Sequence, residues 1–241
     1  MLDPVDRGAD RVQVQRMAAR LSSWTGKTMA DWIRRVDNTG QPYRDLDEAL
    51  AEFEHYANTF ADRLRAGDGL FAWSELNGNG KSMLAEITGR RIQDQGYIVV
   101  FLRQKRLFDT IRASFKRPGV EEELWETLQA ADLVILDDLA VEPLSNWERK
   151  QVSALIGCRY PGRCLMVTTN CTPDPELAPG RDLCDEITCY DDADEPYSAA
   201  AYDRLRELTF MQIVHLASPS FRPHVAERRR QERLAERQDR P

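Results

Sequence analysis

Asn77-Gly78-Asn79-Gly80-Lys81-Ser82 has the residue types and spacing to hold a chain of phosphates. The two glycines free the backbone to curl, so that its N–H groups converge on phosphate oxygens. A helix opening at Lys81 adds the partial positive charge of its N-terminus at the same place. Lys81 would reach the β- and γ-phosphates of a nucleoside triphosphate, and the Ser82 hydroxyl would hold Mg2+. ATP and Mg2+ are therefore the expected cofactors, with residues Asn77, Gly78, Asn79, Gly80, Lys81 and Ser82 around them. One position departs from the G-x-x-x-x-G-K-[ST] pattern of such a P-loop: Glu75 stands where the first glycine belongs. Its carboxylate either repels the nucleotide or points away.

Further along, Leu133-Val134-Ile135-Leu136 runs without interruption into Asp137-Asp138. An apolar strand that ends in two carboxylates supplies a metal ligand, Asp137, and a group that orients and activates water, Asp138. The bland alternative is an acidic turn at a strand end. Val167-Thr168-Thr169 then leads into Asn170, an amide placed to touch a γ-phosphate or its attacking water. These groups meet only if their strands end along one edge of a sheet.

The hydrophobic pattern provides such a sheet. Helical spacing recurs over residues 47–65, 82–95, 105–116, 121–130, 145–159 and 199–208. Strand-length apolar runs lie at 70–73, 97–101, 133–136, 164–168 and 210–215. Alternation of the two predicts an α/β three-layer sandwich with a central parallel five-stranded sheet. Residues 11–21 and 28–33 suggest short helices, and Trp24 and Trp32 belong either to a satellite core or to a docking surface.

Taken together, these segments resemble the bacterial DnaC/DnaI-type helicase loaders and the IstB-type transposition helpers, both AAA+ ATPases. The resemblance rests on Gly69-Leu70-Phe71-Ala72, the Gly78–Ser82 loop, Leu136-Asp137-Asp138-Leu139, Val167-Thr168-Thr169-Asn170 and Asp203-Arg204-Leu205-Arg206. It covers about residues 45–223. It implies an ASCE-type P-loop NTPase fold with no helical lid and a short helical N-terminal region. It implies Asp137 as metal support, Asp138 as catalytic carboxylate and Asn170 as sensor 1. Arg204 matches an arginine finger acting on a neighbouring subunit's ATP, with Arg206 in reserve, so self-association is expected. The implied domains are a partner-docking region over 1–44, an ATPase domain over 45–223 and a charged tail over 224–241.

The implied function is ATP-dependent loading of the replicative DNA helicase onto single-stranded DNA. The alternatives are an IstB-type helper of DNA transposition and a weakly hydrolysing nucleotide-binding adaptor. A small-molecule kinase lacks a recognisable substrate pocket and lid. Arg103, Lys105, Arg106, Arg112, Lys116 and Arg117 crowd around the single acid Asp109, with Phe108 and Phe115 interleaved. Basic residues with aromatic platforms suit single-stranded DNA. The spacing of Phe108, Ile111 and Phe115 nevertheless assigns both rings to the core and leaves the charges as the contacts.

The 241 residues carry a net charge of −7, which excludes nucleic-acid binding through bulk charge. No apolar run is long enough to span a membrane and no secretory signal opens the chain, so a cytoplasmic protein is expected. The five cysteines contain no C-x2-C pair, which favours reduced thiols over zinc. Residues 171–203, with ten acidic side chains and one arginine, read as a long connection that shapes a partner surface or is merely solvated. The Glu/Arg-rich tail reads as a solvated extension more than as a binding arm.

Overall fold

Apolar runs without polar interruption become strands buried on both faces, and helices with one apolar stripe cover them. The computed structural model describes residues 9–32, 41, 43–115, 117, 119–174, 181–190, 196–198, 200–210, 212–221 and 230. Lys116, part of the acidic connection and nearly all of the tail lie outside these residues. In chain order the elements begin with α1 (Ala9–Leu21), a single 3-10 turn (Met29–Asp31), α2 (Arg44–Asn58) and α3 (Phe60–Ala66). The alternating part follows as β1 (Leu70–Trp73), α4 (Lys81–Asp94), β2 (Val99–Arg103), α5 (Gln104–Ser114), α6 (Val120–Ala130) and β3 (Leu133–Leu139). It continues with α7 (Asn146–Arg159), β4 (Cys164–Thr169), α8 (Leu183–Ile187), β5 (Cys189–Tyr190), β6 (Pro196–Ser198), α9 (Ala200–Thr209) and β7 (Ile213–His215).

Five strands form one parallel sheet in the order β2-β3-β4-β1-β7. Alternate residues of each strand point to opposite faces. Phe71, Val100, Val134 and Val167 pack against Leu107 of α5, Leu124 of α6, Leu155 of α7 and Leu205 of α9. Leu70, Phe101, Ile135 and Met166 face Phe53 of α2, Phe60 of α3 and Leu84 of α4. Each such side chain contributes about 1.5–3 kcal/mol when fully buried. Arg159 is wholly buried and donates to the carbonyls of Leu128, Ala131 and Cys164 at 2.7, 3.0 and 2.8 Å. It ties the end of α6 to the start of β4, and burial pulls its pKa down to about 10.

The N-terminal segment is built into this sandwich. Met17, Ala18 and Leu21 of α1 join the α5–α6 side of the core. The chain then crosses the outer edge of β2: Ser23 N donates to Phe101 O at 2.6 Å, and Phe101 N donates to Ser22 Oγ at 3.1 Å. On the far side Trp24 stacks on Phe101 at 5.1 Å, and the Arg90 guanidinium lies 4.3 Å from the Trp24 ring. The buried Glu86 carboxylate of α4 fastens this strap by accepting from the backbone N–H of Thr25, Gly26 and Lys27 at 2.6, 2.7 and 3.2 Å.

Three details differ from the sequence pattern. The helix expected over 47–65 is broken at Thr59, whose hydroxyl bonds back to His55 O at 2.8 Å. The connection over 171–203 contains α8 and the antiparallel pair β5–β6. Phe108 and Ile111 are buried, whereas Phe115, the residue that caps α5, is 65 % exposed. Among the described residues no helix is long and apolar enough to cross a membrane.

Candidate functional site

All five strands are parallel, so each delivers its last residues to the same edge. β1 ends at Trp73, and the phosphate-loop sequence curls from there into α4. Gly78 and Gly80 have φ of 79° and 111°, a region that disfavours any side chain, so both glycines are required by the loop's shape. Ser74 Oγ accepts from Leu76 N at 3.0 Å and from Asn79 Nδ2 at 2.6 Å. Asn79 also donates to Leu216 O at 2.8 Å, and Phe221 N donates to Gly78 O at 3.0 Å. The segment after β7 therefore braces the loop from outside. Lys81 Nζ spans it from within, donating to Leu76 O at 3.0 Å and to Asn79 Oδ1 at 3.3 Å.

Glu75 is engaged by the neighbouring strand. Its Oε2 lies 3.1 Å from Nε2 of His215, and the His215 ring stacks on Trp73 at 4.1 Å. Burial works to raise the Glu75 pKa, but the His215 hydrogen bond, its own backbone N–H and the Lys81 charge bring it below the ordinary value.

Asp137 is wholly buried, and its Oδ1 accepts from Thr168 Oγ1 at 2.6 Å. Its Oδ2 carries no hydrogen bond, although Arg103 Nε stands 3.6 Å away. Asp138 is exposed, with φ of 62°, at a break in register between Leu136 and Leu139. Its N–H donates to the same Thr168 hydroxyl at 3.0 Å. A left-handed non-glycine residue costs about 1–2 kcal/mol, and here the bulge turns the second carboxylate out of the strand. The Asn170 amide donates to Asn77 Oδ1, so the end of β4, which lies between β3 and β1 in the sheet, touches the phosphate loop.

Residues 75–174 match the family described as "IstB-like ATP binding protein". The matched stretch contains the phosphate loop from Asn77 to Ser82, Asp137, Asp138 and Asn170. A curated relative, the "Putative insertion sequence ATP-binding protein y4iQ/y4nD/y4sD" of Sinorhizobium fredii, is 33% identical over 93 residues, 39% of this chain and 31% of its own length. The chain thus spans about a third of that relative. Two solved structures share the fold. The DnaC helicase loader matches with a TM-score of 0.62 at 19% identity, over 80% of this chain and 97% of that one. DnaI matches with a TM-score of 0.58 at 17% identity, over 79% and 90%. The fold is that of the AAA+ P-loop ATPases.

Within the matched stretch, the orphaned buried oxygen of Asp137 beside Ser82 fits a hard, oxygen-ligated cation such as Mg2+. Burial and the Asp138 charge raise the Asp137 pKa from 3.8 to about 6, against the Thr168 and Ser82 hydroxyls and Arg103. The folded carboxyl holds its proton to higher pH than the unfolded one. Its stabilisation is complete below about pH 4 and is lost as pH rises through about 6. Asp137→Asn, which cannot ionise, should raise the Tm of the nucleotide-free chain by a few degrees at pH 7.5 and not at pH 4. Calorimetry at the two pH values checks this, and an unchanged Tm at pH 7.5 would mean that Arg103 and the hydroxyls fully offset the burial.

The remaining expected residues are dispersed. Arg204 is exposed on α9, its guanidinium 5.6 Å from the Tyr160 ring at the end of α7. Arg206 lies over the rings of Tyr202 and Phe210. Lys105 pairs with Asp109 at 3.3 Å. Arg112 pairs with Glu148 at 3.0 Å and covers the Trp147 ring at 4.7 Å. Arg106 and Arg117 are exposed, and Arg103 belongs to the Asp137 cluster. Thr168, Ser74 and His215 were not among the expected site residues. Thr168 carried one signal, its place directly before the Thr169-Asn170 strand end.

Proposed function

We propose that this chain is an ATP-hydrolysing loader that places the replicative DNA helicase on single-stranded DNA. The observation that carries this reading is the face beyond the ATP site. There the exposed Phe115 meets Trp147 edge-on at 6.4 Å, with Arg112 over the same indole and Arg106 and Arg117 nearby in sequence. An exposed ring flanked by arginines offers a stacking surface to unpaired bases and charges to the backbone. α5, which carries Arg106 and Arg112, starts directly after Arg103 of β2 at the Asp137 cluster, so the proposed DNA face and the ATP site lie on consecutive elements. The likeness in fold to the DnaC helicase loader supports the choice of partner.

In this reading Lys81 and the loop N–H groups hold the phosphates, and Ser82 and Asp137 would hold Mg2+, which would offset charge on the phosphoryl group. Asp138 takes the proton of the attacking water, and Asn170 orients that water. Arg204 of one copy approaches the ATP of the next, which makes hydrolysis depend on assembly. ATP then acts as a switch through its different affinities for two assembled states.

The insertion-sequence relative favours a second reading, a helper of transposition. Fluorescence anisotropy separates the two. With a non-hydrolysable ATP analogue the chain should prefer single-stranded to duplex DNA, and Phe115→Ala should weaken that binding about five- to a hundredfold. Capture of the purified hexameric helicase in the same state completes the test. A duplex preference with no helicase retained would overturn the loader reading in favour of the transposition helper.

A further inference from the structure

Arg103 closes β2, and the parallel register sets it opposite Asp137. Its Nε lies 3.6 Å from Oδ2, within ion-pairing distance and too long for a hydrogen bond. The oxygen it faces is the one that no donor satisfies. The two partners differ in freedom. Asp137 is wholly buried, whereas 48% of the Arg103 side chain is exposed. The guanidinium can swing into solvent and remain hydrated, but the carboxylate cannot follow. The backbone beneath it is fixed, because the adjacent Gln104 Oε1 accepts from Ala140 N at 2.6 Å.

A buried carboxylate stripped of counter-charge is strongly disfavoured. A divalent cation on Asp137 would seek the same unsatisfied oxygen, so the tethered cation and the metal compete. We propose that Arg103 is the resident counter-cation of Asp137, which Mg2+ displaces when it arrives with ATP, and that Arg103 thereby sets the Mg2+ requirement of the site. This rests on the reading of Asp137 and Ser82 as the Mg2+ site. It also gives Arg103 a role distinct from the arginines of the DNA face.

The test is a MgCl2 titration of the full chain with a fixed concentration of a fluorescent N-methylanthraniloyl ATP, alongside the affinity for that nucleotide in EDTA. In Arg103→Gln the half-saturating Mg2+ concentration should fall about three- to fivefold, with little change in EDTA affinity. Arg103→Lys should restore the wild-type midpoint by keeping the charge. Arg103→Met, which keeps the apolar stem, should repeat the fall and guards against a folding defect peculiar to glutamine, with thermal unfolding followed for each variant. A midpoint that is unchanged or higher in the uncharged variants overturns the proposal while leaving the Mg2+ site standing. A wild-type chain whose nucleotide binding ignores Mg2+ overturns both.

Discussion

Replacing Lys81 by alanine should lower the affinity for ATP at least a hundredfold while leaving the fold intact. Lys81 is 5 % exposed, and its ammonium bridges the loop through Leu76 O and Asn79 Oδ1. Phosphate oxygens carry full charge and outcompete a neutral carbonyl for those donors. A hydrogen bond to a charged group is worth about 1.5–3 kcal/mol, so two lost bonds amount to a factor of about a hundred or more. Stability should change little, because the loop keeps its frame through Ser74, Asn79 and Leu216. Isothermal titration with ATP and Mg2+ reads the affinity directly. An affinity within threefold of wild type would place the phosphates somewhere other than this loop.

Asp138→Asn should slow ATP turnover by about a hundred- to ten-thousandfold and leave nucleotide binding in place. The substitution suits the backbone, since asparagine tolerates a φ of 62° as well as aspartate does. The N–H bond to Thr168 Oγ1 is made by the main chain and survives. Only proton acceptance is removed, so the variant should accumulate ATP-bound, assembled protein. Phosphate release measured with and without single-stranded DNA, together with sedimentation of the ATP-loaded variant, checks both halves. Unchanged turnover would assign water activation to another group.

Much of this site could be read in the sequence because each signal was local. A glycine pair before Lys81, carboxylates after an apolar run and an amide after another each reveal a strand end with no knowledge of its neighbours. The sequence placed Asn170 at a strand end, though not its contact with Asn77. The illegible parts depend on lateral register. Arg103 looked like one more charge in a basic stretch, because its sequence neighbours are basic; its partner Asp137 lies on the adjacent strand. Glu75 met the same limit, since His215 approaches it from β7. Phe115 misled for another reason. Helical spacing and a helical backbone both reach Phe115, yet its ring stays exposed beside Trp147.

The strap formed by residues 22–27 has a consequence for any shortened chain. Pairing of Ser22 and Ser23 with Phe101 closes an open strand edge of the sheet, and Trp24 roofs the apolar ring beneath. A chain begun at residue 45 would present that edge bare, with β-branched and aromatic side chains beside it. Exposed edges of this kind recruit strands from other molecules and drive self-adhesion. A truncation intended to remove a partner's docking region would thus also make the remaining α/β core sticky. Point substitutions on the outer face of α1 are the cleaner way to separate docking from solubility.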